Sequence, residues 1–316
     1  MKSMGHKIAS LFILLILVGG APALLGASPI PFSTSPKSIK KSSVVRDVPR
    51  TVAFREEKHR GLLVKVWIND AGPFTFAIDT GAGISLISTH AASLASVSRL
   101  GTSTAVGGLS GAAAAKGLNA TLRTVAIGER NNWLNKNQSA IIIDNLPGDI
   151  DGVLDPTAAY LPFGYSIDLP NHVLTAFDPN TRPLNINDTP DGGTVVRWID
   201  RGAGRRPFVR LNDGRLALLD TGSGFGLAIS RSQTSSKYRG QPGVHDLGGG
   251  QVVSERVAPT TIGIGALTLQ KIPTDLLSGV EKDAPILLGR DALYPFRLTF
   301  DPVQRLIEIA PSDGDR

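Results

Sequence analysis

The sequence contains no cysteine. That absence excludes a disulfide framework, a thiolate metal site, a cysteine nucleophile and a lipid anchor through cysteine. Charged residues make up only 19% of the chain, and although lysine and arginine outnumber the acids, no long basic run is present. The net charge of +6 is therefore diffuse, and no nucleic-acid partner is expected. His59, His90, His172 and His245 are scattered and form no His-Glu-x-x-His motif. Gly-x-Ser-x-Gly and the Gly-Lys-Ser/Thr phosphate loop are also missing, which sets aside zinc-metallopeptidase, serine-hydrolase and P-loop chemistry. No metal and no cofactor are expected.

What the sequence does have is glycine and proline, 35 and 21 of them in 316 residues, together with a hydrophobic fraction of 41%. The length suggests about two domains. The apolar content suffices for cores, and the turn-forming residues favour short elements over long helices. Apolar residues alternate mostly with a period of two, which predicts an all-β protein. Only the N-terminus departs from this pattern. Lys2 and Lys7 precede the apolar run Ile8–Val18, which ends in Gly19-Gly-Ala-Pro-Ala23. At about 11 residues the run is too short to span a bilayer, which takes roughly 20, and it reads as a secretory signal over residues 1–27. Residues 28–50 read as a linker or short pro-segment. The mature protein is expected to be secreted or periplasmic, with no stable membrane insertion.

The rest of the chain repeats itself. Leu62–Ile68, the turn Asn69–Pro73 and Phe74–Ile78 form a predicted hairpin that runs into Asp79-Thr80-Gly81-Ala82. Phe208–Leu211, the turn Asn212–Gly214 and Leu216–Leu219 form a second one, running into Asp220-Thr221-Gly222-Ser223, 141 residues later. Phe163–Asp168 corresponds to Phe296–Asp301, and Gly152–Leu154 to Ile286–Gly289. Such a period indicates duplication of a whole domain. The boundaries read as an N-terminal lobe at 51–184, an inter-lobe linker at 185–193 and a C-terminal lobe at 194–316. Thr89 is expected to cap a short helix, and Asp155-Pro156 to start another.

Each Asp-Thr-Gly places a carboxylate at the end of an apolar strand. Two buried carboxyls close together cannot both ionise cheaply, so one keeps a proton while the other acts as a base. Such a pair can activate water against an amide and protonate the carbonyl oxygen. Asp79 and Asp220 are the expected catalytic pair. Thr80 and Thr221 are expected to lock it across the lobe interface, supported by Gly81, Ala82, Gly222 and Ser223. The Ser223 hydroxyl can donate to Asp220 where Ala82 has none, so Asp220 is the expected ionised member. A mildly acidic optimum is anticipated for so basic a protein.

On Phe76–Ala82, Leu218–Ser223 and Ile286–Phe296, the chain resembles aspartic peptidases of the retropepsin/pepsin superfamily in a single-chain bilobal form. The resemblance implies two similar β-barrel-like lobes related by pseudo-two-fold symmetry, an aspartate from each, and a β-hairpin flap over a polypeptide substrate. Candidate flaps contain Gly107 and Gly108 in one lobe and Gly248 and Gly249 in the other. Neither carries the tyrosine common on pepsin flaps. Asp155 departs from the pattern by standing where a glycine is expected, which threatens looser packing of that lobe. A monomer is expected, since one chain supplies both aspartates. The competing reading is a catalytically inactive peptide-binding or interaction module on the same fold, and the sequence leaves both open.

Overall fold

The computed structural model describes residues 47–57, 60–110, 115–144, 146, 150–201, 205–233, 241–245 and 251–312. Its regular structure is nearly all β, and its three α-helices, Thr89–Leu94, Pro156–Tyr160 and Arg290–Leu293, are short. The predicted all-β class is what the structure has. Among the described residues, no helix is long and apolar enough to cross a membrane.

Each half of the chain builds one sheet with the same internal plan. In the N-terminal half the hairpin Gly61–Ile68/Ala71–Ile78 lies beside Gly152–Leu154, a strand from much later in the chain. That late strand runs parallel to Ala71–Ile78 and antiparallel to Ser85–Ser88. The C-terminal half repeats the device. Ile286–Gly289 inserts parallel to Leu216–Asp220 and antiparallel to Leu227–Ser230. Both inserted strands are fully buried, which is why they read as unbroken apolar runs without alternation.

Close packing on these strands explains their glycines. A Cβ on Gly152 would lie 2.3 Å from the Phe76 ring and 2.5 Å from Leu86 O. In the other half, a Cβ on Gly289 would lie 2.5 Å from Phe225 O. A short helix follows each strand. Asp155 caps the first, its Oδ1 accepting from the Thr157 and Ala158 amides, with Pro156 in the first turn. Asp155 thus does not loosen the packing; it is 1% exposed and its amide donates to Ser85 Oγ at 3.1 Å. At the other predicted cap the residue is Ser88 and not Thr89: the Ser88 side chain accepts from the Ala91 amide.

A third, six-stranded sheet joins the halves. At its centre Gly164–Asp168 pairs antiparallel with Phe296–Asp301, with Tyr165 opposite Phe300. These two rings stack at 4.7 Å, Tyr160 adds to one side at 5.7 Å and Trp198 meets Phe300 edge-on at 6.0 Å. The corresponding segments of the sequence repeat are therefore neighbours across the join, and the aromatic column they build fixes how the halves meet.

Gly152→Ala should destabilise the protein by about 2–3 kcal/mol, because its methyl group has no room between Phe76 and Leu86. Denaturant unfolding checks this; a variant as stable as the wild type would contradict the packing described.

Candidate active site

The inserted strands hold the two aspartates in matching places. Asp79 follows its strand directly and donates its amide to Leu154 O at 3.0 Å. Asp220 ends its strand opposite Gly289. Both are buried, at 1% and 0% exposure, and each carboxyl lies against the Asp-Thr-Gly turn of the other half. The threonines cross between the halves reciprocally. Thr80 N donates to Thr221 Oγ1 at 3.1 Å, and Thr221 N to Thr80 Oγ1 at 3.0 Å. The hydroxyls pass the bond on, from Thr80 to Leu219 O at 2.6 Å and from Thr221 to Ile78 O at 3.3 Å. Each amide and each hydroxyl of the two threonines is satisfied from the opposite half, so the strand ends cannot shift independently.

The glycines serve the aspartate of the other half. A Cβ on Gly81 would lie 2.8 Å from Asp220 Cγ, and one on Gly222 only 2.4 Å from Asp79 Cγ. Within each half, the inner carboxylate oxygen is held by its own turn. Gly81 N donates to Asp79 Oδ1 at 2.7 Å, and Gly222 N to Asp220 Oδ1 at 2.9 Å. The outer oxygens, Oδ2 of both residues, are buried with no hydrogen-bond donor among the described residues.

This symmetry stops at the electrostatics. Burial pushes both carboxyls above the ordinary aspartate range. Asp79 is raised further by the charges of Asp220 and, more weakly, of Asp155. Asp220 is pulled back by Asp79, the Gly222 amide, the Arg290 guanidinium and the Ser223 amide. The Ser223 amide, at 3.2 Å, is its donor to Asp220; the Ser223 hydroxyl instead accepts from Phe225 N. Ala82 N reaches only the main-chain oxygen of Asp79, at 3.4 Å. Arg290 is 6% exposed, binds Thr221 O at 2.6 Å and pairs with Glu56 Oε1 at 3.1 Å. Near Asp79 stands an acid, Asp155, in the place that Gly289 holds in the other half, and burial pushes its carboxyl up to about 7.

The strands Ser98–Val106 and Ala115–Leu122 pair antiparallel, and residues 107–110 follow the first of them. Gly107 and Gly108 are buried there, and the next residue, Leu109, is 1% exposed. Leu109 sits in an apolar cluster with Phe208, Phe225, Ala284 and Leu287 of the C-terminal half, and its carbonyl accepts from Glu281 N at 2.9 Å. The hairpin thus reaches from one half onto the other. The second candidate, with Gly248 and Gly249, lies outside the described residues.

The structure therefore brings Asp79, Thr80, Gly81, Ala82 together with Asp220, Thr221, Gly222 and Ser223. Arg290, Glu56, Leu109 and Arg206 went unassigned by sequence reasoning. Arg290 was visible as the residue after a strand-ending glycine, and Arg206 through the register of its hairpin. Glu56 carries no sequence signal, being 234 residues from the arginine it binds. Among the described residues no group of three His, Cys, Asp or Glu side chains is placed to hold a metal ion.

Residues 64–154 match the model of a protein family described as aspartyl protease. Over that stretch, which includes Asp79-Thr80-Gly81 and the hairpin carrying Gly107, the chain is similar to those proteases. A search of curated proteins finds no match to the chain.

Two stability measurements test this site. Thr80→Val should cost about 2–5 kcal/mol, because it strands the Thr221 amide and Leu219 O without partners; Thr80→Ser, which keeps the hydroxyl, should cost much less. Equal losses would count against the knot. An acid raised on folding lends stability that is complete below its unfolded value and lost as pH rises through its folded value. For Asp155 that window runs from about 4 to about 7. Asp155→Asn keeps the capping oxygen but cannot ionise. It should match the wild type near pH 4 and exceed it at pH 8 by up to about 4 kcal/mol. Parallel stability curves from pH 4 to 8 would refute this assignment.

Proposed function

We propose that the protein is an exported aspartic endopeptidase, with Asp79 and Asp220 as its catalytic pair and the two halves of the chain as its lobes. The observation that carries this reading is the burial of two carboxyls, one from each half, on turns that reciprocal threonine bonds lock together. A single proton shared by such a pair supplies an acid and a base at once. The match of residues 64–154 to aspartyl proteases supports the same chemistry.

In this reading Asp220 is the ionised member, because Arg290 and the Gly222 and Ser223 amides favour its charge while Asp155 opposes that of Asp79. Asp220 takes a proton from a water molecule, whose oxygen bonds to the carbonyl carbon of the scissile peptide. Asp79 gives its proton to the carbonyl oxygen, forming a tetrahedral diol. Asp220 then returns its proton to the amide nitrogen as the carbon–nitrogen bond breaks. One diol hydroxyl passes its proton back to Asp79 as the new carboxyl forms, which restores the starting state. The hairpin carrying Gly107 and Gly108 serves as the flap over an extended polypeptide. Residues 1–27 act as the export signal, and the working protein is a monomer outside the cytoplasm.

Digestion of casein or a peptide library tests the reading. Asp79→Asn and Asp220→Asn should each lower kcat by about 10²–10⁴-fold, and EDTA should leave wild-type activity unchanged. Equal cleavage by all three proteins would end the enzyme reading. Activity should fall as the solution is acidified through about pH 6, where Asp220 gains a proton, and fall again on the alkaline side once Asp79 loses its own. The optimum then lies higher than the mildly acidic one anticipated from composition, because burial raises both carboxyls. A profile peaking below about pH 4, the ordinary aspartate range, would contradict the assignment.

A further inference from the structure

Arg206 is a buried cation with hydrogen-bonding capacity to spare. It is 6% exposed, yet its Nε and Nη1 have no hydrogen-bond partner among the described residues. A guanidinium stripped of water is costly to leave unpaired, and its planar fork matches a carboxylate. The hairpin register places it. Phe208 pairs with Leu218, and Pro207 O accepts from Leu219 N at 3.0 Å, so the residues next to Arg206 and to Asp220 are hydrogen-bonded neighbours. The carboxylates whose charge acts on Arg206 are Asp220 and then Asp79. Neither accepts a hydrogen bond from its Nε or Nη1. Asp220 Oδ1 is already occupied by the Gly222 and Ser223 amides.

The arginine is also held in place. Its carbonyl accepts from Trp198 Nε1 at 2.9 Å and from Phe208 N at 3.0 Å, and its guanidinium lies 5.7 Å from the centre of the Phe208 ring. Trp198 belongs to the aromatic column at the join of the halves. The base of this side chain therefore moves only if that column does. A rigid, desolvated cation beside the reacting carboxyls is arranged to receive an anion at little cost in ordering.

We propose that Arg206 forms an anionic subsite beside the catalytic pair, which takes the side-chain carboxylate of a Glu or Asp next to the scissile bond. This rests on the peptidase reading and adds a substrate class to it. The alternative role, a fixed counterion for Asp220, would shift the pH profile on every substrate alike and would not discriminate between charged and neutral peptides.

The test is a set of peptides with blocked termini that differ only by Glu or Gln at each position flanking the cleaved bond. Wild-type kcat/KM should favour Glu by about tenfold or more at one position adjacent to the bond. Arg206→Gln should reduce that ratio to near one, Arg206→Lys should keep part of it, and Arg206→Glu should turn the preference toward Gln. A wild type indifferent to Glu against Gln at every position overturns the proposal without needing any variant to fold. So does an Arg206→Gln variant that keeps the ratio. If no peptide is cleaved, the peptidase reading has failed separately. Fluorescein-labelled Glu and Gln peptides titrated into the same proteins then decide the subsite: tighter binding of Glu that Arg206→Gln abolishes supports it, and equal affinities overturn it.

Discussion

Two carboxyl groups buried side by side repel one another whenever both are charged, and burial penalises even one charge. They hold such a position only if the backbone beneath them cannot relax. The reciprocal bonds between Thr80 and Thr221 supply that constraint, since each amide and each hydroxyl finds its partner on the opposite half. The inserted strands Gly152–Leu154 and Ile286–Gly289 then fix the strand ends from behind. The glycines that follow the threonines let each turn close onto the carboxyl of the other half. Separating the halves would remove the supports of both aspartates together, which is the physical sense of keeping the duplicated unit in one chain.

On this near-symmetric frame lies an asymmetric charge distribution. Near Asp220 is Arg290, fixed by Glu56 and by Thr221 O; near Asp79 is Asp155, capping a helix with one oxygen and leaving the other unpartnered. An arginine near one carboxyl and an acid near the other push the two apart in their tendency to ionise. In the proposed mechanism, this is what assigns the base to one aspartate and the acid to the other. Arg206 extends the asymmetry into the proposed substrate subsite, since the charge of Asp220 acts on it more than that of Asp79.

The hairpin carrying Gly107 and Gly108 adds a further link between the halves. Leu109 buries its side chain among Phe208, Phe225, Ala284 and Leu287. Burial of a leucine stabilises by about 1.5–3 kcal/mol, so this contact helps to hold the hairpin against the C-terminal half.

The repeated Asp-Thr-Gly, the hairpin before each copy and the strand-length apolar runs at Ile286–Gly289 and Gly152–Leu154 are local patterns. The all-β class and the pairing of Asp79 with Asp220 as candidates were legible from them, because alternation, turn residues and duplication are written along the chain. Side-chain bonding was not. The hydroxyl of Ser223 turned to Phe225 N while its amide went to Asp220, and Ser88 rather than Thr89 capped the first helix, since each choice depends on a backbone angle. Contacts between distant segments were equally hidden: Glu56 with Arg290, Leu109 with the C-terminal half, Gly81 against Asp220. Sequence alone thus determined which residues repeat and what chemistry they can bear. Only the tertiary structure decided which groups lose water and which face each other, because desolvation and long-range contact are properties of the folded chain.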